Sequence, residues 1–172
     1  KKLNSFSKTE MKLLAFISTK DGELYERQIA TGAKVSAASA NSMLFSFSKM
    51  GLVERKKKGR MVFYRRNDSH PVLRQLKISA VVSRLMPLVH SLQPLCTRIV
   101  LFGSCAEGRN GEKSDIDLLI ISNEKEKARR ILDSHPRIQA IILSAPEHSK
   151  LGKNDKPLYE RVNSGITLWG GQ

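Results

Sequence analysis

Residues 102–117 read FGSCAEGRNGEKSDID, and apolar runs stand on both sides of them. Upstream, Arg98-Ile99-Val100-Leu101-Phe102 has the character of a buried strand; downstream, Asp115-Ile116-Asp117-Leu118-Leu119-Ile120-Ile121 has it again. Between them the first strand ends at Gly103-Ser104 and a short helix is expected to begin. Glycine lets backbone approach a phosphate closely, helix-start N–H groups favour negative charge, and the Ser104 hydroxyl adds a donor. Asp115 and Asp117 are two apart. On a strand they would share one face, roughly 7 Å apart along the backbone. Paired carboxylates of that kind suit Mg²⁺ or Mn²⁺, hard cations that take oxygen ligands and bridge to phosphates. Arg109 and Lys113, in the intervening loop, are candidates for phosphate contact.

Working outward, Glu124–Asp133 predicts a charged amphipathic helix, Ile138–Leu143 a third strand, Pro157–Asn163 a last helix stopped by Gly165, and Ile166–Trp169 a last short strand. This order specifies a small mixed sheet with flanking helices. Gly-Ser, ten residues (Cys105 to Ser114), then Asp-x-Asp resembles the DNA-polymerase-β-like nucleotidyltransferase superfamily. So do VLFGSCAEG…SDIDLLI and PLYERVNSGITLWG, which are similar to its minimal members over about residues 80–172. The resemblance implies a nucleotidyltransferase fold. It implies a nucleoside triphosphate held at Gly103 and Ser104, with metal ligated by Asp115 and Asp117 as the catalytic pair. It also implies transfer of a nucleotidyl group to a hydroxyl of a protein, nucleic acid or small molecule. The family places a third carboxylate on the next core strand. Here that strand is Arg137–Leu143, where the matching position is Gln139 or Ala140, and neither is acidic. Glu147 lies beyond the strand. Loss of that ligand threatens turnover more than nucleotide binding.

The other half has a different charge. The whole chain of 172 residues carries a formal +14. Residues 1–94 hold 18 Lys/Arg against 6 Asp/Glu, whereas residues 95–172 hold 12 against 10. The surplus points the first half toward polyanions. Ser7 or Thr9 can cap a helix carrying Met11, Leu14, Ala15 and Ile17; a second helix is expected over Glu23–Ala30, with a turn at Thr31-Gly32-Ala33. Ser36 caps a third, with Ala40, Leu44, Phe47 and Met50 inward and Gly51 as its stop. A hairpin follows, Leu52–Lys56 and Met61–Arg66, joined by Lys57-Lys58-Gly59-Arg60.

Three helices and a basic hairpin resemble a winged helix-turn-helix domain over about residues 5–68, through the turn TGAKVS, the helix end FSKMGLVER and the wing KKKGRMVFYRR. The resemblance implies DNA as a partner. Lys56, Lys57, Lys58 and Arg60 would contact phosphates, and Ser36, Ser39 and Ser42 would lie on the recognition helix. No Arg on that helix offers bidentate reading of guanine, so strong sequence selectivity is not implied. Met43, Phe45 and Trp169 are read as packing residues. Between the halves, residues 71–93 predict one or two connecting helices that Pro87 should kink or divide.

The fold class expected is therefore α+β, in three parts: a winged helix-turn-helix at 1–69, a connecting helix at 70–94 and a minimal nucleotidyltransferase-like domain at 95–172. Cys96 and Cys105 are too few for a disulfide framework and are expected as reduced thiols. Lys1-Lys2-Leu3-Asn4-Ser5-Phe6 holds no signal-peptide core and no apolar run reaches the roughly 18 residues of a membrane span. A cytoplasmic setting without membrane contact is expected. The protein partners in view are a modified target, a small helical toxin that an antitoxin-like chain would hold, or a second copy in a homodimer. The competing reading is a DNA-binding regulator whose second domain senses nucleotide without turning it over.

Overall fold

In the computed structural model residues 6–170 are described. The opening segment read above for a signal peptide lies almost wholly outside them. The chain divides into two compact units, one ending at Lys77 and the other beginning at Ile78.

The first unit begins with α1, Lys8–Thr19. Its cap is Ser7: the hydroxyl accepts from the Glu10 N–H at 3.2 Å, and the Glu10 carboxylate accepts from the Ser7 N–H at 2.8 Å. The helix buries Leu13, Leu14 and Ile17, while Met11 and Ala15 face solvent. The inward stripe is thus one residue off the expected one at its start. A two-residue strand follows, β1, Leu24–Tyr25, and α2 occupies Glu26–Ala33 rather than starting at Glu23. Pairing of β1 with a later strand draws Leu24 and Tyr25 out of the helix, which local spacing alone does not reveal. Gly32 lies inside α2, not in a turn. A Cβ there would overlap the Phe16 ring, so this glycine serves close approach of α1 and α2.

The third helix, α3, runs Ala37–Lys49 from a Ser36 cap. Strands β2, Val53–Lys58, and β3, Met61–Arg66, make the hairpin, and β1 adds to β3 in the order β1-β3-β2, all antiparallel. Lys57 and Lys58 therefore lie in strand, and only Gly59-Arg60 makes the turn. Leu13, Leu14, Ile29, Leu44, Phe47, Leu52 and Tyr64 form the core.

Helix α4, Pro71–Leu92, is uninterrupted, and Pro87 sits within it. Of the two outcomes expected of Pro87, a kink or a division, the division does not occur. Proline removes one N–H, but Val81, Leu85, Leu88, Val89 and Leu92 keep one stripe buried on both sides of it, and Pro87 itself is exposed.

In the second unit a 3-10 turn at Gln93–Leu95 precedes β4, Arg98–Phe102, and the single-turn helix α5, Gly103–Ala106. Then come β5, Ile116–Ile121; α6, Lys125–Leu132; β6, Ile138–Leu143; α7, Ala145–Asn154; α8, Lys156–Asn163; and β7, Ile166–Trp169. The sheet order is β6-β5-β4-β7. β5 and β6 are parallel and the other pairs antiparallel. One face buries Ile99, Leu101, Ile116, Leu118 and Ile120 with α4 residues and with Ala128 and Leu132 of α6. The other buries Val100, Phe102, Leu119 and Ile121 with Val162 of α8. Helix α7 was not anticipated, although Ser144 and Glu147 form a capping box readable as S-x-x-E. The chain is mixed α+β, with two small sheets and flanking helices, as the element order required.

Candidate functional site

β4 leaves the sheet at Gly103, whose φ of 70° lies in the left-handed region. The last paired residue, Phe102, sits opposite Asp117 of β5, and Asp117 sits beside Gln139 of β6. One row therefore crosses three strands: Phe102, Asp117, Gln139. It faces the side covered by α8, since Ile116, Leu118, Ile138 and Ala140 face the other core. Asp117 is half-buried and Gln139 exposed.

Asp115 is placed differently from the expectation. β5 starts at Ile116, so Asp115 is an exposed loop residue rather than a strand residue. Pairing with β4 ends at Asp117 and pairing with β6 ends at Ile116, so neither neighbour carries the strand to residue 115. The Asp115 backbone is held instead by Cys105, whose Sγ donates to its carbonyl at 3.3 Å. Burial pushes the Cys105 thiol up, and the Asp117 charge adds to the effect, so this cysteine is a neutral donor.

The loop between the signature elements is pinned. The Glu107 N–H donates to the Gly103 carbonyl at 3.2 Å and the Arg109 N–H to the Ser104 carbonyl at 2.9 Å. Arg137 Nη2 donates to the carbonyls of Glu112 at 2.8 Å and Ser114 at 2.7 Å, just before Asp115. Helix α5 has four residues, too few for a macrodipole, so any attraction for phosphate there is local to the turn's N–H groups and the half-buried Ser104. Of the two proposed phosphate contacts, Arg109 is mostly exposed and paired with Glu107, and Lys113 is exposed.

One residue of this site escaped the reading of the sequence. Arg161 of α8 places Nη2 3.9 Å from Oδ2 of Asp117, with its guanidinium 5.3 Å from the centroid of the Phe102 ring. It follows Leu158 by three positions, so helical spacing puts it at the edge of the buried stripe. A surface cation on a helix has no further local mark. Arg137, in the turn before β6, orders the loop through backbone carbonyls, contacts that no local pattern marks. Glu147, weighed as a distant substitute for a third carboxylate, is committed elsewhere: it accepts from the Ser144 N–H at 2.6 Å and hydroxyl at 2.7 Å and pairs with Lys125. Chiefly through the Lys125 hydrogen bond, its carboxyl is held down at about 2. Among the described residues no group of three or more His, Cys, Asp or Glu could hold a metal. Also among them, no helix is long and apolar enough to cross a membrane.

In the first unit, Ser36 Oγ accepts from the Ser39 N–H at 3.1 Å, and the two hydroxyls are hydrogen-bonded, so both serve the α3 cap; Ser42 is exposed. Lys56, Lys57, Lys58 and Arg60 are all exposed, and Lys58 is paired with Glu23. Met43 packs on the core, but Phe45 and Trp169 are 52% and 41% exposed and do not have the packing role expected of them. Each lies on an outward face, Phe45 on α3 with Lys49 over its ring and Trp169 on the edge strand β7.

No curated protein matches the chain. Solved structures with partial likeness include two of different kinds. Human N-acetylserotonin methyltransferase in complex with SAM is 15% identical over 46% of this chain, which spans 28% of that one, with a TM-score of 0.32. TrmBL2, an archaeal chromatin protein described as showing a novel mode of DNA binding, is 16% identical over 91% of this chain and 72% of its own, with a TM-score of 0.34. At such scores neither carries an argument. Residues 82–159 match the family model for the nucleotidyltransferase domain, with which the small sheet and flanking helices of the second unit are consistent.

Proposed function

We propose that the second unit binds a nucleoside triphosphate with Mg²⁺ or Mn²⁺ at Gly103, Ser104, Asp115 and Asp117, and that the first unit brings the chain to DNA as a winged helix. The observation that carries the reading is the backbone of Gly103 lying directly against the Asp117 carboxylate, with Arg161 beside both. A triphosphate in the Gly103-Ser104 turn would meet a carboxylate and a cation within one site. The oxygen donors of Asp115 and Asp117 fit a hard divalent ion, whose other ligands would come from phosphate and water. When bound, such an ion neutralises phosphate charge and bridges protein to nucleotide. Arg161 is suited to the outermost phosphate; Arg109 and Lys113 can add contacts from the loop.

Transfer to a hydroxyl is expected to be slow, because Gln139 occupies the strand position beside Asp117 and Glu147 is used in a helix cap. That same position favours a second reading: a DNA-binding regulator, or an antitoxin-like protein, that senses nucleotide without turnover. On DNA, Lys56, Lys57, Lys58 and Arg60 would supply phosphate contacts and Ser42 would lie on the exposed side of α3, with Ser36 and Ser39 holding the helix start.

Binding and transfer are tested separately. Calorimetry with ATP, GTP, CTP and UTP, with Mg²⁺ or Mn²⁺, compares the wild type with the Asp115→Asn, Asp117→Asn double variant. The variant should stay folded and lose metal-dependent binding; equal affinity would remove the two carboxylates from the site. Labelled nucleotide then reports transfer.

A further inference from the structure

The register of the first unit's sheet puts Tyr25 opposite Phe63 and Phe63 opposite Lys56, so the three make one row across β1, β3 and β2. Directly opposed residues on antiparallel strands share a face. Tyr64, in the other phase, is buried in the core, so the row points outward. The flanking rows on this face are Arg65 with Glu54 and Met61 with Lys58. Tyr25 and Phe63 are half-buried; Lys56, Lys58, Arg65 and Met61 are exposed. Two adjacent rings are thus set among three cations. Lys57 belongs to the opposite phase, paired with Val62, and does not share the face.

Glu23, just before β1, pairs with Lys58. Its carboxyl is held below the ordinary value by the Lys58 hydrogen bond, with the charges of Lys56 and Arg65 adding to this. One carboxylate therefore sits on Lys58, on the face where Lys56 and Arg65 also stand, which marks a place for an anionic group. Lys58 also lies 5.1 Å from the centre of the Phe63 ring. Moving Lys58 from Glu23 to a phosphate would uncover that ring.

We infer that this outward sheet face binds single-stranded nucleic acid, with Lys56, Lys58 and Arg65 taking phosphates in place of Glu23 and bases stacking on Tyr25 and Phe63. A duplex hides its base faces and offers nothing to two rings on a sheet. Unstacked bases do offer those faces, and rings interleaved with cations suit them. The inference rests on the reading that the first unit binds nucleic acid, and adds the strand form and the surface.

The test is fluorescence anisotropy on the full chain, with fluorescein-labelled oligothymidylate of about 12 nucleotides, within the usual span of single-strand sites, and a mixed-sequence duplex of the same length. Tyr25→Leu and Phe63→Leu keep apolar bulk but remove the stacking rings. Each should weaken oligothymidylate binding by about 5- to 150-fold and leave duplex binding within about twofold. Glu23→Gln should tighten oligothymidylate binding several-fold at low salt. Tyr25, on the edge strand, reads the same surface if Phe63→Leu melts early. Duplex binding that persists while oligothymidylate is ignored, or variants that change neither form or both equally, would overturn this inference and leave the DNA reading standing. A wild type that binds neither form would remove the nucleic-acid reading altogether.

Discussion

A Cβ placed on Gly103 would overlap Oδ2 of Asp117 and lie 3.3 Å from its Cγ, so the turn after β4 and the carboxylate of β5 meet where glycine leaves room. The left-handed φ of 70° adds a second reason against any other residue. Gly103→Ala should cost about 1–2 kcal/mol in stability from backbone strain alone, and should swing Asp117 away from the turn. Nucleotide affinity is expected to fall about tenfold or more, equivalent to roughly 1.4 kcal/mol. Thermal unfolding and calorimetry on the same sample separate the two effects. Unchanged affinity would show that nucleotide does not use this turn.

Arg161 should act on the phosphates, not on the base. A charge-assisted contact contributes about 1.5–3 kcal/mol, and this side chain is 58% exposed, so the low end applies. Arg161→Gln is expected to weaken triphosphate binding about tenfold at low salt and to leave nucleoside binding unchanged. A matched loss for nucleoside and triphosphate would point to a structural role through the Phe102 ring.

Asp117 pairs with Gln139, and on the proposed reading position 139 is the one that would take a third carboxylate. Gln139→Asp should raise nucleotide transfer or self-modification, with each tenfold gain corresponding to about 1.4 kcal/mol of barrier. Ala140→Asp is the contrasting variant. Position 140 packs against the opposite core, so the charge should lower stability and bring no activity. Brisk transfer by the wild type would show that another group completes the site.

Replacing Lys56, Lys57 and Arg60 with Gln should weaken duplex binding to most sequences alike. The log–log salt dependence should flatten by about 0.9 for each phosphate that is no longer neutralised. Lys58 is left in place because its pairing with Glu23 joins β2 to the start of β1. A salt slope that does not move would exclude the hairpin from the duplex interface.

Asp68 should govern the acid stability of the first unit. It accepts from Arg66 Nε at 2.7 Å and from buried Lys77 Nζ at 3.0 Å. Burial pushes its carboxyl up, but these hydrogen bonds and charges outweigh that and hold it below the ordinary value. A carboxyl with a depressed folded pKa stabilises the fold fully above its unfolded pKa, and the contribution is lost as pH falls through the folded one. Unfolding of the first unit should therefore become easier below about pH 4. Asp68→Asn should lose about 1–3 kcal/mol at neutral pH, because buried Lys77 loses its charged acceptor, whereas Arg66 keeps Asp21. Its stability should then vary less with pH in the acid range; an unaltered acid limb would assign that limb to other carboxyls.

Caps, strand runs and the Gly-Ser and Asp-x-Asp spacing were legible in the chain because each depends on near neighbours. Ser7 and Ser36 reach N–H groups three residues on, and Ile99 to Phe102 and Leu118 to Ile121 declare burial by composition. The uneven charge of the two halves is likewise a property of the sequence alone. Tertiary structure decided what depends on pairing between distant segments. Tyr25 meets Phe63 only because β1 adds to the hairpin, Asp117 meets Gln139 only in the parallel register of β5 and β6, and Arg161 meets Asp117 only because α8 packs across that face. It also set Asp115 outside the strand, since the pairing with β6, and not the identity of residue 115, runs only as far as Ile116. Local sterics and burial are carried by a few adjacent residues. Registers and crossings are set by the whole packed core, and no short window of sequence contains them.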